Sequence, residues 1–132
     1  MSRAKLLRRK PVIWVGESQK TIRAFPEDVK REIGFAHQSQ EGGKAISATP
    51  MVGFGGAGVL EIVADYRTDT YRSVYTVKFG DIVYVLHAFQ KKSKSGISTP
   101  KKELDLIKAR LRKAENHYRN SLNNAADKEE GI

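Results

Sequence analysis

Residues 59–89, VLEIVADYRTDTYRSVYTVKFGDIVYVLHAF, decide the fold. Three runs within them, 59–66, 71–79 and 81–89, are rich in β-branched and aromatic side chains and alternate in character. A period of two is the mark of a strand. The joints between runs, RTDT and Gly80-Asp81, are short, so the natural pairing is an antiparallel meander.

Upstream, PVIWV (11–15) reads as a short apolar strand closed by Gly16. The stretch SQKTIRAFPEDVKREIGFAHQSQEGG (18–43) reads as a helical hairpin. Ser18 is placed to cap its first helix, and Pro26 to open its second, with Glu27 and Asp28 favourable in the first turn. Val29, Ile33 and Ala36 give that helix an apolar stripe, and Gly42-Gly43 ends it. Residues 44–58 read as a loop. Downstream, Thr99-Pro100 opens a last helix with Leu104, Ile107, Leu111, Ala114 and Tyr118 on one side and basic residues on the other.

The order is therefore β-α-α-β-β-β-α, an α+β domain with its helices gathered on one face of the sheet. Residues 1–10 form a basic N-terminal segment, 11–119 the domain, and 120–132 a polar tail without periodicity that reads as disordered. At 132 residues the chain suits one domain with one core.

The chain carries 24 Lys and Arg against 15 Asp and Glu, a net charge of +9, which points to a polyanion or an acidic protein as partner. Ten of the basic residues fall between 91 and 119. With no cysteine and three scattered histidines (His37, His87, His117), neither a disulfide nor a structural metal is expected. No apolar run approaches the roughly 20 residues of a membrane span. The start, MSRAKLLRRK, lacks the apolar core and cleavage site of a signal peptide, so an intracellular protein is expected.

GFGGAG (53–58) matches G-x-G-x-x-G but precedes a strand, whereas a dinucleotide fingerprint follows one and opens a helix. It reads as a turn. The meander is more informative. Strict alternation puts Glu61 with Val59 and Val63, Arg72 with Val74, Thr76 and Lys78, and His87 with Val83, Val85 and Phe89. In a common register Glu61, Arg72 and His87 converge on the exposed face, opposite a helix-covered core of Leu60, Ile62, Tyr75, Val77, Tyr84, Leu86 and Ala88. Taken singly, the Glu and Arg are an ordinary cross-strand ion pair and the His an ordinary satisfied strand residue. The adjacent YVLHAFQKKSKSGISTP (84–100) changes the weighting. It sets Phe89, Lys91, Lys92 and Lys94 beside His87, an aromatic and cationic mixture suited to single-stranded RNA. Arg67 and Lys78 extend the cationic set.

GVLEI, YRSVYTV and YVLHAFQKKSKSGISTP, followed by a basic terminal helix, resemble the phage-derived Gp49-like branch of the HigB/RelE/ParE toxin superfamily over roughly residues 11–119. The resemblance implies a compact toxin fold, a type II toxin–antitoxin pair and a helix-turn-helix antitoxin as partner. HigB- and RelE-like members cut mRNA on the ribosome, whereas ParE-like members act on DNA gyrase without known nuclease chemistry. Arg72 in YRSVY matches the active-site arginine of the RelE-like strand, and Lys91 and Lys92 occupy a region that contributes basic residues. Glu61 and Val63 stand where some relatives place lysines, and no tyrosine follows the last strand.

On that implication the reaction is attack by an RNA 2′-oxygen on the adjacent phosphate, expelling the 5′-oxygen. It needs a base, an acid and a cation for the developing charge, and no metal or cofactor. Arg72 is assigned the charge, His87 or Glu61 the proton transfer, and Lys91 and Lys92 the phosphate. An mRNA-cleaving toxin of cytoplasmic location is the first reading. A non-enzymatic toxin or adaptor that binds a protein such as gyrase is the second.

Overall fold

The structure, a computed structural model, describes residues 11–38, 48–54, 58–91 and 99–131, with side chains to Gly34 in the second helix and to Asn124 in the last. Its elements run β1 (Val12–Trp14), α1 (Ser18–Arg23), α2 (Glu27–Gln38), β2 (Ala48–Pro50), β3 (Val59–Tyr66), β4 (Asp69–Phe79), β5 (Ile82–Lys91) and α3 (Lys101–Gly131). The sheet order is β1-β5-β4-β3-β2. The meander β3-β4-β5 is antiparallel, as its hairpin joints require, and β1 adds in parallel to β5, opposite Val83, Tyr84 and Val85.

A fifth strand, β2, lies where a loop is expected. Ala48, Thr49 and Pro50 pair antiparallel with Ile62, Glu61 and Leu60. Three residues ending in a proline carry no alternation, and a proline is tolerated there because β2 is an edge. The two hairpins are tighter than the sequence suggests, with Tyr66 opposite Asp69 and Phe79 opposite Ile82. Their two-residue loops need positive φ, supplied by Arg67 at 59° and Gly80 at 60°. The described part of the 53–58 stretch is likewise a turn.

The helices divide between the two faces of the sheet, where the sequence reading gathers them on one. Ile22 and Phe25 from the α1 region, with Val29 and Ile33 of α2, bury against Ile62, Ala64, Tyr71, Tyr75, Val83, Val85 and Ala88. On the other face, Ile107 and Ala114 of α3 bury against Val59, Val74, Tyr84, Leu86 and Phe89, with Leu104, Leu111 and Tyr118 packed around them. The α2 and α3 stripes are those the helical spacing predicts; Ala36 falls outside the described side chains. A meander with apolar residues on both faces needs two covers. The backbone of α3 runs to Gly131, past Arg119, where the amphipathic pattern stops.

Ser18 does not cap α1. The cap position is Glu17, which makes no side-chain cap bond, and Ser18 is fully buried, its hydroxyl donating to the Val85 carbonyl at 3.1 Å. It pins the helix to β5.

Candidate functional site

One register irregularity decides which side chains meet. Val85 pairs with Tyr75, but Val74 pairs with His87, so β5 carries an extra residue at Leu86. A bulge of this kind reverses the alternation beyond it. His87 and Phe89 therefore share a face with Tyr84 and Leu86, under α3, and not with Val83 and Val85. Glu61 and Arg72 are on this same face, because the β3–β4 register sets Glu61 against Val74 and Val63 against Arg72. The three residues share one face, but it is the face that α3 covers and not the exposed face expected: Arg72 and His87 are buried and Glu61 largely so.

Arg72 Nη1 donates to Glu61 Oε2 at 2.9 Å, with side-chain exposures of 9% and 13%. The Arg72 Nε–H is buried and finds no acceptor among the described residues. Beside the pair, Val63 is 39% exposed and Asp65 lies open, so the β3 side of this face is accessible.

His87 is spoken for at both nitrogens. Nε2 lies 2.6 Å from Glu103 Oε1, and Nδ1 lies 3.1 Å from Arg110 Nη1, which also donates to the Leu86 carbonyl at 3.0 Å. Arg110 can only donate, so the consistent tautomer carries its proton on Nε2 and accepts at Nδ1. Burial pushes the imidazole below its ordinary pKa, Glu103 pulls it up, and Arg110 pushes it down, with a net lowering. Its ring stacks on Phe89 with centroids 5.4 Å apart, and both rings are buried. They offer their faces to one another. Glu103 and Arg110 are the residues the sequence reading missed. A signal existed: spaced by seven, they sit two turns apart beside Ile107 on the apolar side of α3.

The cations are less concentrated than the sequence implies. Lys91 ends β5, half-buried, opposite Thr70 and two residues from Phe89. Arg67 is exposed at the β3–β4 hairpin, its guanidinium 5.2 Å from the Tyr66 ring centroid. Lys78 lies over the Phe79 ring at 5.5 Å, six residues along β4 from Arg72, a separation of about 20 Å in an extended strand. It does not join the group. Lys92 and Lys94 lie outside the described residues. On α3, Lys101, Lys102, Lys108, Arg112, Lys113 and Arg119 are exposed; Lys101 and Arg119 pair with Asp105 and Glu115 along the helix.

Among the described residues no cluster of three or more His, Cys, Asp or Glu side chains could hold a metal ion. No described helix is long and apolar enough to cross a membrane.

A family model, phage derived protein Gp49-like (DUF891), matches residues 20–112, well over half of the chain and all of the sheet from β2 to β5. No curated protein and no solved structure matches. The chain belongs to the Gp49-like family, a toxin-like family, and membership suggests a toxin-type function in toxin–antitoxin systems.

Proposed function

We propose that this Gp49-like chain is the toxin of a type II toxin–antitoxin pair, of the HigB/RelE kind, and that it cuts mRNA on the ribosome. The observation that carries the reading is Arg72: a guanidinium with one nitrogen committed to Glu61 and a buried Nε–H unspent. An N–H left without an acceptor in a low-dielectric site would hold a phosphate oxygen strongly once one reached it.

In the proposed reaction the RNA 2′-oxygen bonds to the adjacent phosphorus as the bond to the 5′-oxygen breaks. Glu61 takes the 2′ proton, Arg72 holds the charge on the non-bridging oxygens, and the departing 5′-oxygen is protonated from water. His87, with both nitrogens occupied, positions Phe89 and the end of β5 and is not given a proton-transfer step. Lys91 and Arg67, with Lys92 and Lys94, supply phosphate contacts around the site. The exposed cations of α3 suit ribosomal RNA, or the acidic surface of a helix-turn-helix antitoxin that would hold the toxin inactive. A ribosomal target places the protein in the cytoplasm.

A specific observation favours a second reading. The His87–Glu103–Arg110 contacts are satisfied internally, and Arg72 is held by Glu61 through Nη1, as expected of a scaffold that binds a protein such as DNA gyrase without nuclease chemistry. Addition of the purified protein to a translating extract and, separately, to a gyrase supercoiling reaction tests the two. Loss of translation with gyrase untouched supports the nuclease; loss of supercoiling with translation intact supports the binder.

A further inference from the structure

The N-terminal part of α3 is fastened to the sheet at a polar point that holds a titratable ring. Arg110 reaches the β5 bulge, where it donates to the Leu86 carbonyl and to His87 Nδ1, while Glu103, two turns earlier, accepts from His87 Nε2. Gly16 forms the third wall. Its φ is +59°, and a methyl group there would stand 2.7 Å from the Arg110 guanidinium, so the turn after β1 leaves a slot sized for that side chain. Three separate segments thus converge on Arg110: the β1–α1 turn, the β5 bulge and α3 itself.

We propose that Arg110, His87 and Glu103 form an acid-released latch that holds the first turns of α3 on β5 while His87 is neutral. The idea goes beyond the toxin reading and stands whether or not the chain cuts RNA. In the neutral ring the only vacant lone pair, on Nδ1, receives the Arg110 N–H. A second proton has nowhere else to go. Once Nδ1 carries it, acceptor becomes donor, the Arg110 bond is lost, and two cations face one another.

The charges beside His87 oppose one another, with Glu103 the stronger, and burial sets the sign. On α3, Arg110 opposes protonation and Glu103 favours it. From the β1–α1 turn, Glu17 acts on Arg110 and steadies its charge. Across β4 the neighbour is Val74, which has no charge to offer, and the Glu61–Arg72 pair lies along the same face with its charges matched. Burial adds the largest push and also lowers the imidazole pKa. Farther along α3 the hold is apolar at Leu111 and Ala114, and a further polar contact joins Tyr84 Oη to His117 Nδ1 at 2.8 Å. Release is therefore local to the first turns, and Phe89, stacked on His87, is the first apolar ring to lose its cover.

The test is hydrogen exchange of α3 amides in the full chain between pH 5 and 7.5, corrected for intrinsic rates, alongside histidine ring nitrogen spectra. The latch predicts a ring proton on Nε2 at neutral pH. It also predicts loss of protection over residues 105–110 as pH falls below the ordinary histidine value of about 6.5, in step with the ring titration. Protection over 111–114, under the apolar contacts of Leu111 and Ala114, persists. His87→Gln, whose amide oxygen accepts from Arg110 and whose amide nitrogen donates to Glu103, keeps protection across the range. Arg110→Met raises the His87 titration midpoint and lowers protection over 105–110 at every pH. A neutral ring protonated on Nδ1, an acid loss of equal size in His87→Gln, a wild type flat in pH, or an Arg110→Met protein with an unmoved midpoint would each overturn the latch.

Discussion

Arg72 on β4 and Glu61 on β3 form a 2.9 Å ion pair between side chains that are about nine-tenths buried, on the sheet face that also carries His87. Because both groups are desolvated, removing one strands the other. Arg72→Ala is expected to cost on the order of 3 kcal/mol, read from urea unfolding. Replacing both, as Glu61→Leu with Arg72→Leu, is expected to recover most of that loss. A double variant as unstable as the sum of the singles would mean that the pair is not coupled in the way its geometry implies.

Gly16 makes the second prediction. At φ +59° with Arg110 across it, Gly16→Ala meets both backbone strain and a 2.7 Å overlap, and a loss of roughly 1–3 kcal/mol is expected in thermal melts. Gly34, with nothing within 4 Å of an added methyl, is the control: Gly34→Ala in α2 should stabilise by about 1 kcal/mol. Equal effects at the two positions would remove the slot argument.

The sign of the pH dependence follows from His87. Its folded pKa is lowered, so between that value and about 6.5 the unfolded chain binds the proton that the folded chain does not. Its contribution to stability is complete above about pH 6.5 and is lost as pH falls through the folded value. The difference in urea midpoint between wild type and His87→Gln should therefore be constant above pH 6.5 and should shift against wild type below it. A difference that grew with rising pH would reverse the assigned environment of the ring.

Much of this was legible in the sequence, and the failures have physical causes. The three long strands and the stripe of Ile107, Leu111 and Ala114 announce themselves through periodicity, which local residues fix. That Glu61, Arg72 and His87 share a face was also readable, but not that α3 covers it, and for His87 the phase was wrong. Strict alternation put it with Val85, and the bulge at Leu86 moved it to the opposite face. A bulge is settled by packing across strands, and no residue in YVLHAF marks it. The same holds for α3: two-sided burial of β5, read as one core, required a second helical cover. Glu103 and Arg110 looked like members of a charge run because their partner is 16 and 23 residues away in sequence.

Salt dependence tests the cationic surface. If the exposed lysines and arginines of α3 contact RNA phosphates, log affinity should fall linearly with log salt, by about 0.7 per neutralised phosphate on a single strand. Changing Lys108 and Arg112 to Gln together should flatten the slope by about 1.4, measured by filter binding. An unchanged slope would direct α3 away from nucleic acid and towards a protein partner.

The most direct measurement is the chemistry at the ends of cut mRNA. Primer extension on a defined message in a translating extract should show discrete new 5′ ends with the wild-type protein, and the upstream fragments should carry 2′,3′-cyclic phosphates, the product of 2′-oxygen attack. Arg72→Lys, which keeps a charge but not the guanidinium N–H pattern, should lose cleavage by 10²-fold or more, on the order of removing one transition-state donor, while retaining ribosome binding. Intact message in the presence of a wild-type protein that still arrests growth, or full cleavage by a folded Arg72 variant, would contradict the account.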